Sequence, residues 1–128
     1  MNTETTAEQK EALMQAAWAI LTKAAKERLT IRVNNFESDV QASSGIIIDW
    51  GRSQTVRWDC NLRSIKEKRC VIEAIIVKQD NTPDNRAFEM AWMGEVYNLP
   101  EEERGLNFDR VKVTKTLQQQ VYDAFAND

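Results

Sequence analysis

The residues best equipped for chemistry crowd into one stretch. Between Arg52 and Arg69 stand six bases, Arg52, Arg57, Arg63, Lys66, Lys68 and Arg69, against two acids, Asp59 and Glu67, a local net of +4. The remaining eleven bases and eighteen acids carry −7, so the formal net charge of −3 is a cancellation between two unlike regions. Guanidinium forks grip phosphate or carboxylate in a bidentate way, and Trp58 and Trp50 beside them offer flat faces on which a base could stack. Arg52, Arg57, Trp58, Arg63, Lys66, Lys68 and Arg69 are therefore the candidate ligand- or partner-binding residues. The same charges also suit solvated edge-strand and loop positions that discourage sheet-to-sheet association, with the tryptophans in the core.

Other chemistries have little to work with. The chain contains no histidine, which removes the commonest general base and the commonest metal ligand. Cys60 and Cys70 form no Cys-x-x-Cys pair and cannot by themselves build a zinc site, so they read as buried small hydrophobes on strands. Glu73, Glu89 and Glu95 could supply an acid and a base, but a hairpin register that pairs Val77 with Phe88 sets Glu73 on the opposite face from the other two. The run Glu101-Glu102-Glu103 fits a solvated helix start better than a metal site. No phosphate-binding glycine loop or nucleophile elbow is present. These observations assign no catalytic residue, no metal and no cofactor.

The elements that must position the basic stretch follow from periodicity. A length of 128 residues with 42% hydrophobic and 29% charged residues is that of one globular domain spanning 1–128. Thr5 or Thr6 with Glu8 or Gln9 has capping-box spacing, and Leu13, Ala16, Ala17, Ile20, Leu21 and Ala24 recur with helical period, which predicts a long helix from Ala7 to Arg28. Alternation predicts strands over Thr30–Asn34, Ile46–Trp50, Gln54–Cys60, Arg69–Gln79, Arg86–Tyr97 and Phe108–Val113. Polar Glu37–Ser44 reads as a loop, Asn61–Arg69 as a helical turn or wide connection, and Asp80–Asn85 as a turn. Asn98–Glu103 reads as one helical turn, and Lys115–Ala126 as a C-terminal helix. The expected fold class is α+β, with the long N-terminal helix and the C-terminal helix packed on an antiparallel sheet of about five to six strands. That element order is loosely similar to the order in dimeric secretion chaperones, although none of their motifs is present.

The leading functional expectation is a non-enzymatic intracellular binding protein acting through protein–protein interaction, of the chaperone, immunity or inhibitor type, and forming a homo-oligomer. The alternative is a small anionic-ligand (nucleotide-like) binding protein, its pocket lined by Trp18, Phe88, Met90 and Trp92 with Arg57 or Arg32 at the mouth of a curved sheet. Single-stranded nucleic acid is a third possible partner through the basic stretch, but the modest net charge argues against it. No basic leader and no membrane-length apolar run are present, so a cytoplasmic location without a membrane partner is expected.

Overall fold

Thr6 opens the first helix as the sequence leads one to expect. In a computed structural model of the chain, which describes residues 5–93 and 108–128, Gln9 N–H donates to the Thr6 hydroxyl at 3.1 Å and Thr6 N–H donates to Gln9 Oε1 at 3.0 Å. This reciprocal box starts α1 (Ala7–Lys26), two residues shorter at its C-terminus than the spacing predicts. Leu13, Ala16, Ala17, Leu21, Ala24 and Ala25 are buried along one side, and the four alanines let α1 pack closely against three other helices and the segment between them.

Beyond α1 the expected antiparallel sheet is absent among the described residues, and the α+β assignment is corrected to a mostly helical fold. Among the described residues the order is α1, β1 (Ile31–Arg32), α2 (Val33–Ser44), α3 (Trp50–Lys68), a 3₁₀ turn (Ile72–Ile75), β2 (Ile76–Val77), α4 (Asn85–Met93) and α5 (Arg110–Phe125). The one sheet among these residues has two strands and is parallel, with Ile31 opposite Ile76 and Arg32 opposite Val77. The likeness of element order to secretion chaperones falls with the sheet.

The segments that differ from expectation do so for physical reasons, and the strand expected at Ile46–Trp50 is instead an irregular link whose last residue begins α3. The presumed loop Glu37–Ser44 belongs to α2, which buries Phe36 and Val40 one turn apart and stops at Gly45, whose φ of +74° is the left-handed cap that glycine adopts without cost. The alternation at Gln54–Cys60 belongs to α3: Asp49 caps it by accepting from Arg52 N–H at 2.8 Å, and Val56 and Cys60 lie one helical turn apart. Ser53, Asn61 and Ser64 share that buried face. Small polar residues facing inward hid the helical period.

Residues 70–77 are all buried. A run that is apolar but for Glu73 fits a core-crossing segment as well as a hairpin strand, and here it becomes a 3₁₀ turn followed by a two-residue parallel strand. Asp84 carbonyl accepts from Ala87 N–H at 3.0 Å as α4 begins, so Ala87, Phe88, Met90 and Ala91 bury a helical face and the expected Val77–Phe88 pairing does not form. Asp109 caps α5 by accepting from Val111 and Lys112 N–H at 3.0 and 3.1 Å, absorbing most of the final strand into a longer C-terminal helix. Part of the Arg86–Tyr97 strand, the Asn98–Glu103 turn and Glu95 lie outside the described residues. No helix among the described residues is long and apolar enough to cross a membrane.

Candidate functional site

Because the basic stretch is helical, its charges are spread around α3 at about 100° per residue rather than gathered on one strand face. Arg52 donates from Nε to Thr5 Oγ1 at 3.0 Å and from Nη1 to Ile47 carbonyl at 2.8 Å, bracing the start of the helix. Arg63 pairs with Glu67 at 2.9 Å and lies 4.2 Å from the Trp18 ring centroid. Lys68 meets Asp128 at 2.5 Å and stands over Phe125. Lys66 is exposed, as is Arg69, which closes α3 in a left-handed conformation at φ 54°. Trp58 points outward and is 41% exposed. Among the proposed binding residues, then, only Trp58, Lys66 and Arg69 are exposed.

Arg57 has the opposite placement. It is 3% exposed and belongs to a polar cluster centred on Glu73, which is 1% exposed. Glu73 Oε1 accepts from Asn61 Nδ2 at 2.7 Å and Arg86 Nε at 2.9 Å, and Oε2 accepts from Arg86 Nη2 at 2.6 Å and Arg57 Nη1 at 3.3 Å. Arg57 Nη1 also reaches Asp84 Oδ2 at 2.6 Å, and Arg86 Nη1 donates to Gln54 Oε1. Burial works against the charge on Arg86, yet the bond to Glu73 and the charges of Glu73 and Asp84 hold its guanidinium above the ordinary value. Two arginines and two carboxylates balance. The cluster ties α3 to the 3₁₀ turn and to the start of α4.

Asn61 and Ser64 serve the same junction through the backbone. Glu73 N–H donates to Asn61 Oδ1 at 2.9 Å, Ile72 N–H donates to Ser64 Oγ at 3.1 Å, and Ser64 Oγ donates to Cys70 carbonyl at 2.7 Å. An irregular segment crossing the core needs partners for its peptide groups, and the polar side of α3 provides them. Glu89 is exposed on α4, whereas Glu73 is buried and held by Asn61, Arg57 and Arg86. Among the described residues no group of three or more Cys, Asp or Glu is placed to hold a metal ion.

The aromatic residues considered for a pocket divide between two packed clusters. Trp18 meets Phe125 edge-on at 5.9 Å, whereas Phe88, Trp92 and Phe108 pack together, with Phe88–Phe108 and Trp92–Phe108 centroids 5.0 and 4.6 Å apart. Open space lies elsewhere: a groove of about 800 Å³ runs past the C-terminal ends of β1 and β2, bounded by the first turn of α2, by Trp50 and by Lys78. Trp50 is 78% exposed there. Periodicity gave no warning of this groove, because it joins residues far apart in sequence.

The chain matches no protein-family model, no curated protein and no solved structure. Any functional assignment therefore rests on geometry.

Both cysteines are free and buried, Cys60 within α3 and Cys70 just beyond it, so they are core residues but not on strands. Burial pushes both thiols from 9.0 up to about 12. A thiol reagent at pH 8 is expected to leave both unmodified in the folded protein and to label both in denaturant; rapid labelling of native protein would contradict their burial. The unfolded chain loses these protons near pH 9.0 and the folded chain only near about 12, so their contribution to stability is complete below pH 9.0 and declines as pH rises through that window.

Proposed function

We propose that the protein is a non-enzymatic binding protein acting through protein–protein contact, the broad class that includes small chaperone, immunity and inhibitor proteins. Its docking surface is the outward face of α3, and the occupant is a second copy of the chain. The observation that carries this reading is the exposure of Trp58 and Leu62, 41% and 48%, one turn apart on a helix whose opposite side is already packed. Tryptophan is costly to leave in water and is enriched among residues that dominate binding energy.

The face is suited to a copy of itself. Gly51, Thr55, Trp58, Leu62 and Lys66 form one exposed stripe, with small residues toward the helix start and large ones toward its end. A Cβ added at Gly51 would meet only Asp49 Oδ1 at 3.7 Å, so packing within the chain does not demand glycine there. Glycine within a helix costs roughly 0.5–1 kcal/mol relative to alanine. Antiparallel pairing of two α3 helices about a twofold axis sets Leu62 over Gly51 and Trp58 over Thr55 in both directions, an isologous contact. The free, buried thiols suit a reducing compartment such as the cytoplasm.

Native mass measurement of the purified protein at tens of micromolar is expected to give twice the 14.8 kDa chain mass. Trp58→Ser with Leu62→Ser should shift the population to monomer while leaving helical content unchanged, since both side chains face outward. A wild-type monomer, or a dimer that survives both substitutions, overturns the proposal.

A further inference from the structure

The groove at the ends of β1 and β2 lies roughly a quarter-turn around α3 from the Trp58–Leu62 face, and it has a different character. Parallel strands deliver their C-terminal ends to one place, and here β1 runs straight into the first turn of α2 while β2 runs into Lys78 and Gln79. Arg32 occupies the N-cap of α2 and gives no side-chain cap to its amides. One nitrogen of its guanidinium, Nη1, donates to Lys78 carbonyl at 2.6 Å, which fixes the head at the groove.

Two accessible cations, Arg32 and Lys78, therefore border the same space, with the buried Arg57 behind them. Arg57 is 3% exposed, and its Nε and Nη1 are spent on Ser53 carbonyl, Glu73 and Asp84. The Lys78 ammonium, whose charge is felt by Asp80, makes no salt bridge among the described residues. Of the bordering carboxylates, Asp84 is already paired with Arg57, leaving Glu37 as the acid available to a hydroxyl. The exposed Trp50 indole borders the same groove and offers a flat apolar face, and Asn34 and Asn35 add amide donors and acceptors from α2.

We propose that this groove binds a phosphorylated nucleoside, with the base stacked on Trp50, the phosphate held by Arg32 and Lys78, and a ribose hydroxyl donating to Glu37. Stacking needs only a planar ring, and guanidinium and ammonium groups at a mouth next to the uncapped start of a helix attract a phosphate dianion. A free anion without a ring would use half of the site. The cavity volume of about 800 Å³ accommodates a ligand of nucleotide size.

Titration calorimetry with adenosine monophosphate tests this, with inorganic phosphate and adenosine as separate probes. The nucleotide is expected to bind at least about tenfold more tightly than either part alone, and to weaken with added salt. Trp50→Ala and Lys78→Glu, both at side chains without packing duties in the core, should each lower nucleotide affinity by about tenfold or more, with unchanged helical content. Equal affinity for phosphate and nucleotide, no nucleotide binding at millimolar concentration, or binding indifferent to both substitutions overturns the proposal. The oligomeric state read from the Trp58–Leu62 variant is a separate measurement, so the two readings fail independently.

Discussion

Glu73→Ala is expected to lower the stability of the fold by about 3–5 kcal/mol at pH 7, measured by urea unfolding, because breaking a buried ion pair from one side leaves the other side charged and unsolvated. The residue is 1% exposed and accepts from Asn61, Arg57 and Arg86. Removing it leaves the Arg86 fork with Gln54 and a distant Asp84 contact of 3.8 Å, while Arg57 keeps Asp84 at 2.6 Å. Asp84→Asn should cost far less, about 1 kcal/mol, because Asp84 is one-third exposed and water replaces part of what is lost. Glu73→Ala combined with Arg86→Ala should cost less than the two single changes added together, since the first already orphans the second. A loss below about 1 kcal/mol for Glu73→Ala would mean that water reaches the cluster.

That cluster also marks where sequence reasoning failed. The sequence offers Glu73 as an acid for catalysis and Arg57 as a binding cation, whereas in the fold Glu73 pairs chiefly with Arg86 and Arg57 chiefly with Asp84, and a 3.3 Å contact joins the two across 16 residues of chain. Nothing in the local pattern announces a pair of that kind. What local pattern could announce, it did: the Thr6 capping box and alanine-rich stripe of α1 are complete within the first 25 residues, and helix formation there needs no distant partner. The C-terminal helix was legible for the same reason, apart from the Asp109 cap that starts it earlier.

Strands were over-read where a helix buries polar side chains. On α3 the inward face includes Ser53, Arg57, Asn61 and Ser64, all hydrophilic by type, so Val56, Trp58 and Cys60 stood out with a false period of two. The polar residues face inward because the 70–73 segment crosses the core without a regular ladder and needs side-chain partners for its peptide groups. One irregular crossing thus accounts for both departures: the strand expected at 54–60 and the long strand expected at 69–79. The basic stretch shares this fate. Its clustering is real in sequence, but winding it into a helix turns Arg57 inward, Arg63 onto Trp18 and Lys66 to solvent. The two features on which function is now proposed, the Trp58–Leu62 ridge and the groove beside Trp50, depend on that winding.

Phe36→Ala provides the second large effect, an expected loss of about 3–5 kcal/mol, because truncating a fully buried aromatic ring forfeits its transfer free energy and leaves a cavity. Phe36 is 0% exposed and lies one turn before Val40, also 0% exposed, on the side of α2 that packs against α1. The prediction separates two descriptions of residues 37–44. Were this segment a solvated loop, substitutions at Phe36 and at its neighbours would act independently of one another. As a helix, α2 transmits the loss: Phe36→Ala with Val40→Ala should approach the full stability of a domain this size, about 5–15 kcal/mol, while Ser38→Ala on the exposed side should stay within about 0.5 kcal/mol. Phe36→Leu should fall between, since it refills part of the cavity. Urea unfolding monitored by far-ultraviolet circular dichroism checks the series. A single shared transition, with helical signal lost only at unfolding, is expected if α2 belongs to the same cooperative unit as α1, and an early separate loss in the Phe36→Ala protein would place α2 outside it.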